Sequence, residues 1–454
     1  MPKKIHSLII SAGAIFLSFV HASAEPRTVT LDECISIALQ NNPNIFETDE
    51  IRKKSLADYQ VSRAQRGLRV DGEFKTIERM RSDSPADPNV RIPGKDTDIG
   101  LFAGLYSYYY LFDAKKKKAE EASRINITLT KIEAEKIKED ILYETKKTYY
   151  ACLLAKDILL VHTKLLENAQ EKQKLVKTMY NAGLQPATDL TQANVSYSQA
   201  MLNFEKSKNT SKTYLTSLYI VMGLRDMPDI VLADIEKENL PAIKHSPEEL
   251  GKLALLYNHE LRIINERKKI SKLGIEIAQS QRKPSVLISI GLGMENKALY
   301  LFNDDRGTLG DNFATRNWEP VFTAAITASI PVYYGGAIVA NIDSAIVDYN
   351  RLMYQERSAQ IKIKNTIERQ YESINEIKKQ IQIAKMIIEN SERHALFARK
   401  NYENGEASIM DLQIAEDKVI EAKIEYLDCI YRYYMSLAEI SYTLGISEDN
   451  ICQK

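Results

Sequence analysis

The stretch YNAGLQPATDLTQA at residues 180–193 and the stretch YENGEASIMDLQIA at residues 402–415 are two copies of one motif. A constant offset of 222 residues aligns them and places Gly183 on Gly405. Each copy follows a long segment that is free of glycine and proline, and each continues into a second amphipathic stretch. A glycine there permits the left-handed backbone that reverses a helical hairpin. The motif therefore predicts two similar helical hairpins in one chain.

The duplication extends beyond this motif. TLDECISIALQNN from Thr30 matches SPEELGKLALLYN from Ser246 at a slightly smaller offset. We therefore expect a first repeat over residues 25–240 and a second repeat over residues 241–454. The period is far longer than that of a solenoid repeat, so each repeat must be a large supersecondary unit. This organisation favours two near-equivalent halves that together enclose one structure, and it is unusual for an enzyme.

The first residues are typical of an exported protein. Lysines precede an apolar run over residues 8–20, and the small-x-small pattern ASA follows at residues 22–24. These features predict a signal peptide over residues 1–24, with an N-terminal membrane anchor as the alternative. Beyond Glu25 no apolar stretch approaches the roughly 20 residues of a spanning helix. A mature chain that enters a membrane would have to do so as β-strands.

Composition excludes several classes of function. Lysine plus arginine equals aspartate plus glutamate at 61 each, so no basic surface suggests nucleic acid as a partner. No histidine or cysteine spacing suggests a metal, no motif suggests a cofactor, and we expect no catalytic site. A disulfide is possible after export, although unpaired and mostly buried thiols are the favoured interpretation of the four cysteines Cys34, Cys152, Cys429 and Cys452.

Two segments predict unusually long helices. Neither residues 115–180 nor residues 337–404 contain glycine or proline, so each helix would reach about 100 Å. In the second segment isoleucines recur every seven residues, which predicts packing along the helix length. An ordinary coiled-coil rod would show the same periodicity. The seam positions are Ile363, Ile367, Ile374, Ile377, Ile381, Ala384 and Ile388, with Gln370 as an interruption.

Each repeat also contains two stretches that alternate with period two, which predicts β-hairpins over residues 67–111 and 285–334. The expected strand length of about 9 to 11 residues suits a tilted membrane strand. Aromatic residues at the strand ends suit a membrane interface. A soluble sheet packed on helices is the alternative interpretation. The predicted interface aromatics are Tyr106, Tyr108, Tyr109, Tyr110, Tyr333 and Tyr334.

Four strands cannot close a barrel, and lipid does not tolerate an open sheet edge. The pattern therefore predicts an oligomer. Three copies would supply about 12 strands, enough for an aqueous lumen. On these grounds the expected fold class is an α+β membrane protein with a trimeric transmembrane β-barrel of about 12 strands, four from each chain.

In their order, the segment TLDECISIALQNNPNI, the junction PVYYGGAIVANIDSA and the paired glycine motifs resemble the TolC-type outer-membrane efflux proteins. The resemblance covers nearly all of the predicted mature chain. It implies a homotrimeric duct in the outer membrane of a Gram-negative bacterium. In this fold the 12-stranded transmembrane β-barrel lies in the outer-membrane lipid and continues into a long α-helical barrel in the periplasm. It also implies two partners, a periplasmic adaptor protein and an inner-membrane pump of the RND or ABC type, and export of drugs, metals or proteins.

The resemblance also implies site residues at the hairpin ends. Asp411 falls on a family position that forms a selective carboxylate ring, and Tyr402 falls on one that helps to close the entrance, with Asp189 in support. The family's second acidic ring and its gating arginine fall on Ile414 and Ala407, so that pattern is incomplete. Capping of the returning helices is the alternative role for both aspartates. The predicted adaptor contact comprises Gly183, Gln185, Gly405 and Glu406.

Other motifs favour structural interpretations. Gly291 and Gly293 lack the third glycine of a dinucleotide site and suit a lumen-facing strand. The run Lys115–Lys118 opens a helix, where the macrodipole disfavours cations, and we interpret it as a solvated or headgroup-facing surface. A different function, a secreted trimeric coiled coil with a structural or adhesive role, stays open at this point. The paired hairpins favour the duct.

Overall fold

The computed structural model describes residues 27–80, 97–226, 230–299 and 318–453, so the predicted signal peptide and much of both hairpin loops lie outside the described residues. The first repeat contains β1 (Arg27–Val29), α1 (Leu31–Asn41), α2 (Pro43–Ala64), β2 (Arg69–Met80), β3 (Thr97–Phe112), α3 (Ala114–Asn181), α4 (Ala187–Val221) and β4 (Ile230–Leu232). The second contains β5 (Ala242–Ile243), α5 (Pro247–Tyr257), α6 (His259–Ser280), β6 (Ser285–Leu299), β7 (Trp318–Ser329), α7 (Ala337–Glu403), α8 (Ile409–Leu444), α9 (Glu448–Ile451) and β8 (Cys452–Gln453).

The two long helices have the predicted bounds within one residue. α3 spans 68 residues and α7 spans 67, and each folds back on the helix that follows it. Six of the seven seam positions of α7 are buried as expected, while Ile388 is only half-buried. Gln370 in that seam donates to Thr443 Oγ1 at 3.0 Å. Within the described ranges, no helix is both long enough and apolar enough to cross a membrane.

One asparagine divides the first helical region of each repeat into two helices. Asn42 lies between α1 and α2, and its side chain accepts from Asn44 N at 3.0 Å and donates to Val221 O at 2.9 Å. Asn258 lies between α5 and α6 and donates in the same way to Thr443 O at 2.8 Å. Each asparagine therefore caps one helix and holds the end of the returning helix in its own repeat.

The four long strands form one antiparallel sheet in the order β2-β3-β6-β7. The central pair β3 and β6 joins the two repeats, while β2 and β7 form the edges. The strands contain 12, 16, 15 and 12 residues, so they are longer than the sequence predicted. The alternating pattern predicts where these strands lie but underestimates their length, because the ladders continue toward the loops.

The sheet has one apolar face and one polar face, because cross-strand neighbours share a face and the side chains alternate. Register places Phe74 opposite Ala103, Leu105 opposite Leu292, and Leu292 opposite Phe322 on the apolar face. The polar face carries the intervening residues. Among them are Asp71, Glu73, Lys75, Tyr106, Tyr108, Gly291, Gly293 and Thr323.

Two large hydrophobic clusters form the core of the helical region, and one of them joins the two repeats. One cluster contains Tyr149 and Leu153 of α3 together with Tyr431 of α8, and another joins α5, α6, α7 and α8. Tyrosine hydroxyls from α3 and α8 fix the connector between the repeats. Tyr149 donates to Ala233 O at 2.7 Å, Tyr434 to Glu236 O at 2.6 Å and Tyr433 to Pro241 O at 2.5 Å.

Candidate functional site at the helical hairpin tips

The two glycine motifs form the tips of the α3–α4 and α7–α8 hairpins. Gly183 has φ of 74° and Gly405 has φ of 78°, the left-handed region that glycine adopts without steric cost. The amides of Leu184 and Glu406 donate to the carbonyls of Met179 and Asn401 at 2.9 and 2.8 Å. Both tips are therefore Schellman turns, in which the amides after the helix satisfy its last carbonyls.

A small apolar cluster joins the two tips. Val176 of α3, Ala193 of α4 and Ile409 of α8 are buried together, and Leu190 and Tyr402 pack against them. Tyr402 is half-buried. Its burial, together with the negative charge of Asp189, raises the pKa of its hydroxyl above the usual value. Tyr402 thus lies between the hairpins, close enough to Asp189 for their charges to interact.

Polar side chains extend this contact along the helices. Gln413 Oε1 accepts from Gln192 Nε2 at 3.0 Å and from Ser196 Oγ at 2.6 Å, which links α8 to α4. Glu416 pairs with Lys172 of α3 at 3.3 Å and with Arg399 of α7 at 3.0 Å. One carboxylate therefore connects three helices.

Asp411 is exposed at the start of α8, where it belongs to a capping box with Ser408. Its Oδ2 accepts from Ser408 N at 3.0 Å and from Ser408 Oγ at 2.7 Å, and its own amide donates to Ser408 Oγ at 3.2 Å. These hydrogen bonds from the hydroxyl and the amide lower the pKa of the carboxyl. The capping alternative thus has a geometric basis, with Ser408 as the N-cap and Asp411 three residues later.

Asp189 differs from Asp411 in its surroundings. The residue before α4 is Pro186, which supplies no side-chain cap, and Asp189 lies in the first helical turn. Its Oδ1 accepts from Thr188 Oγ1 at 3.4 Å. Gln185, in the turn before α4, is half-buried. In the second tip Glu406 is exposed, Ala407 is half-buried, and Ile414 keeps 52% of its surface exposed.

The tyrosines predicted at the membrane interface divide between the two faces of the sheet. Tyr109 lies on the apolar face and is 44% exposed, whereas Tyr106, Tyr108 and Tyr110 lie on the polar face. Tyr108 donates to Glu73 Oε1 at 3.2 Å. Because side chains alternate along a strand, neighbouring tyrosines lie on opposite faces, and the prediction from aromatic composition alone did not take this alternation into account. Tyr333 and Tyr334 follow β7 and are 84% and 61% exposed.

Sequence reasoning found the turn glycines and the aspartates but missed the polar links between hairpins. Gln192, Gln413, Lys172 and Glu416 are common residue types on amphipathic helices, so type alone gives no signal. The duplicated motif contained a partial signal for these links. Gln192 and Ile414 occupy equivalent positions in its two copies, and only Gln192 is polar. Such a difference between equivalent positions marks where the two hairpins play unequal roles.

The fold, a four-stranded sheet joined to two long helical hairpins, is also found in solved outer membrane channel structures. The family model described as outer membrane efflux protein matches residues 34–224 and 250–445. The chain belongs to the outer membrane efflux protein family.

The sequence identities to individual relatives are low, but the matches extend over most of the chain. The chain is 22% identical to the outer membrane protein TolC of Escherichia coli over 345 residues, 76% of this chain and 69% of that protein. It is 20% identical to the proteases secretion protein PrtF of Dickeya chrysanthemi, over 69% of this chain and 66% of PrtF. The crystal structure of the CmeC outer membrane channel of Campylobacter jejuni superposes with a TM-score of 0.77 at 17% identity, covering 98% of this chain and 93% of CmeC.

Proposed function

We propose that the chain forms the exit duct of a tripartite efflux or type I secretion system and conducts its cargo passively across the outer membrane and the periplasm. The observation that carries this function is the sheet with one apolar face, which continues directly into helical hairpins of about 100 Å. An apolar sheet face suits lipid, and the long hairpins suit a tunnel through the periplasm.

The duct is a homotrimer in this proposal. The sheet of one chain has two open edges, β2 and β7, and an open edge exposes unpaired backbone groups. Three copies paired edge to edge would close about 12 strands, and the polar face with Asp71, Glu73 and Lys75 would line the lumen. Tyr109, Tyr333 and Tyr334 keep the proposed interface role, while Tyr106, Tyr108 and Tyr110 belong to the lumen wall.

The hairpin tips serve as the gate and as the contact for a periplasmic adaptor, which connects the duct to an inner-membrane pump. Gly183, Gln185, Gly405 and Glu406 lie at these tips and offer the adaptor a polar surface. Three copies of Asp411 would form a carboxylate ring that favours cations. Tyr402 and Asp189, together with the Gln413 contacts, hold the hairpins together in the closed state.

A matched pair of substitutions tests the duct. Ile326 lies on the apolar face of β7, and Thr327 beside it lies on the polar face. Ile326→Lys should insert less well than the unmodified chain, because a lysine that faces lipid is destabilising by an amount that depends on depth, up to about 2–4 kcal/mol at the bilayer midplane. Thr327→Lys should insert normally. Outer-membrane fractionation measures insertion, and planar-bilayer recordings with native mass spectrometry should show a conducting trimer for the unmodified chain.

A secreted coiled coil predicts a different result. It would tolerate both lysines equally, because neither face of its sheet would contact lipid. It would also give no conductance in a planar bilayer. Either outcome would overturn the proposed duct.

A further inference from the structure

All four connections between the sheet and the long helices lie at one end of the sheet. Register places Arg69 opposite Tyr108, and Ser285 opposite Ser329. The four connections α2–β2, β3–α3, α6–β6 and β7–α7 therefore lie at the same height along the strand direction. We call this level the junction.

The junction carries five exposed cations that have no acidic partner. Within the described ranges no carboxylate lies within 4.0 Å of any of them, and their side chains extend from the ends of α2 and α6 and from the first turn of α3. We call them the junction cations: Arg63, Lys115, Lys117, Arg282 and Lys283.

Neighbouring basic residues are engaged, and they occupy the nearby acids. Arg66 pairs with Glu120 at 2.5 Å, and Lys118 pairs with Glu276 at 2.7 Å and with Glu121 at 3.1 Å. Lys116 Nζ donates to Gln65 O at 3.0 Å and lies 3.4 Å from the centre of the Tyr110 ring. Asp113 is the N-cap of α3. The excess positive charge at the junction is therefore not compensated locally.

Exposed apolar side chains border these cations. Leu68 is 68% exposed after α2, Leu111 and Phe112 are 55% and 46% exposed before α3, and Ile330 is 66% exposed after β7. The apolar face of the sheet thus ends where the cations begin. Two of the cations, Lys115 and Lys117, also lie in the first turn of α3, where the helix macrodipole disfavours positive charge unless an anion offsets it.

We propose that the junction cations bind the phosphate groups of anionic phospholipids in the membrane leaflet on the helix side. The inference rests on the proposed function, because it requires the sheet to span a bilayer. Basic side chains beside an apolar boundary match an anionic headgroup above its acyl chains. Such contacts would fix the depth and the tilt of the duct relative to the bilayer.

The experiment compares lipid retention by the full chain and by two variants of equal charge change. The first variant replaces all five junction cations with glutamine. The control replaces five exposed lysines on the helical hairpins, also without an ion pair in the described ranges, with glutamine: Lys164, Lys174, Lys177, Lys212 and Lys379. Native mass spectrometry of protein from nanodiscs counts bound phosphatidylglycerol and phosphatidylcholine, with excess inorganic phosphate as a competitor.

We expect the unmodified chain to retain phosphatidylglycerol over phosphatidylcholine, and the junction variant to lose about tenfold in apparent affinity for it. The control variant should match the unmodified chain, and inorganic phosphate should not displace the lipid. Equal retention by all three proteins would overturn the proposal, as would equal loss in the control or displacement by phosphate. Failure of the unmodified chain to enter the nanodisc would instead contradict the proposed duct.

Discussion

At the scale of single residues, Asp411 combines a cap and a candidate charge ring, and two substitutions separate these roles. Asp411→Asn removes the charge but keeps an oxygen that can accept from Ser408. Ser408→Ala removes the hydroxyl of the capping box but keeps the carboxylate. If the ring selects cations, Asp411→Asn should lower the cation preference of single channels in planar bilayers, while Ser408→Ala should leave it unchanged.

Ser408→Ala serves as the control for Asp411→Asn, because it disturbs the cap and leaves the carboxylate in place. Loss of the capping hydroxyl should destabilise α8 by about 1 kcal/mol, visible as a lower midpoint for heat dissociation of the oligomer. If Asp411→Asn behaves like Ser408→Ala in both measurements, the carboxylate is only a cap and the ring proposal is wrong.

The pH dependence of selectivity provides a further test of Asp411. Hydrogen bonds from Ser408 lower the pKa of this carboxyl, so its charge should persist below the ordinary aspartate value of about 3.9. The pKa of Asp411 is lower in the folded chain than in the unfolded chain. The ionised carboxylate therefore contributes to folding stability above its unfolded pKa, and this contribution is lost as pH falls through the folded pKa. Cation preference should therefore decline as pH falls through the pKa of Asp411, and Ser408→Ala should move the midpoint of this decline to higher pH. A midpoint that stays the same in Ser408→Ala would contradict the hydrogen-bond account.

At the scale of secondary structure elements, the tip turns depend on backbone conformation rather than on packing. A Cβ at Gly405 would meet nothing within 4 Å, but its φ of 78° disfavours any other residue type. Gly405→Ala should cost about 1–2 kcal/mol in the tip and reduce export while the oligomer persists. Gly274→Ala is the control, since this helical glycine also has open space but an ordinary φ. It should be neutral or stabilising. Loss of the oligomer in Gly405→Ala would mean that the tip supports assembly.

In the sheet, by contrast, a glycine is required by packing rather than by backbone conformation. A Cβ at Gly291 would lie 2.5 Å from Cε1 of Tyr106 and 2.8 Å from Thr323 Oγ1, whereas a Cβ at Gly72 would lie 3.9 Å from Leu105. Gly291→Ala should therefore displace the tyrosine ring and lower the heat-dissociation midpoint of the oligomer, by about 1–3 kcal/mol in stability. Gly72→Ala should change it little. Equal midpoints in the two variants would show that the ring moves without cost.

The sequence predicted those secondary structure elements that are determined by the residues within them. The long helices were located within one residue because glycine and proline are absent between their ends, and the tips because a positive φ requires glycine. Two features could not be predicted, because each depends on distant partners: the pairing of β1 with β4, and the bridge from Gln192 to Gln413. Such contacts are set by which helix faces and strand edges meet.

At the scale of the whole molecule, the two repeats are interlocked rather than side by side. β3 of the first repeat pairs with β6 of the second, and α8 of the second contributes Tyr431 to the core of the first. We therefore expect the two repeats to unfold together as one cooperative unit. A buried polar network marks the place where they join.

In that network, Asp157 Oδ2 of α3 accepts from Tyr431 of α8 at 2.6 Å and pairs with Lys237 of the connector at 2.6 Å. Asp157 is 8% exposed and Tyr431 is fully buried. Asp157→Asn would leave Lys237 without its charged partner, so the free energy of unfolding should fall by about 2–3 kcal/mol. Tyr431→Phe, which removes one hydrogen bond, should cost about 1 kcal/mol.

The matched control for Asp157 is Asp234, which pairs with Lys156 at 3.0 Å but keeps 62% of its side chain exposed. Asp234→Asn should cost less than 1 kcal/mol, roughly the value of a surface ion pair. Urea unfolding followed by circular dichroism measures all three variants. If the network joins the repeats, Asp157→Asn should lower the midpoint of one cooperative transition for both repeats. A transition that splits in two, or an equal effect of Asp157→Asn and Asp234→Asn, would mean that the network does not couple them.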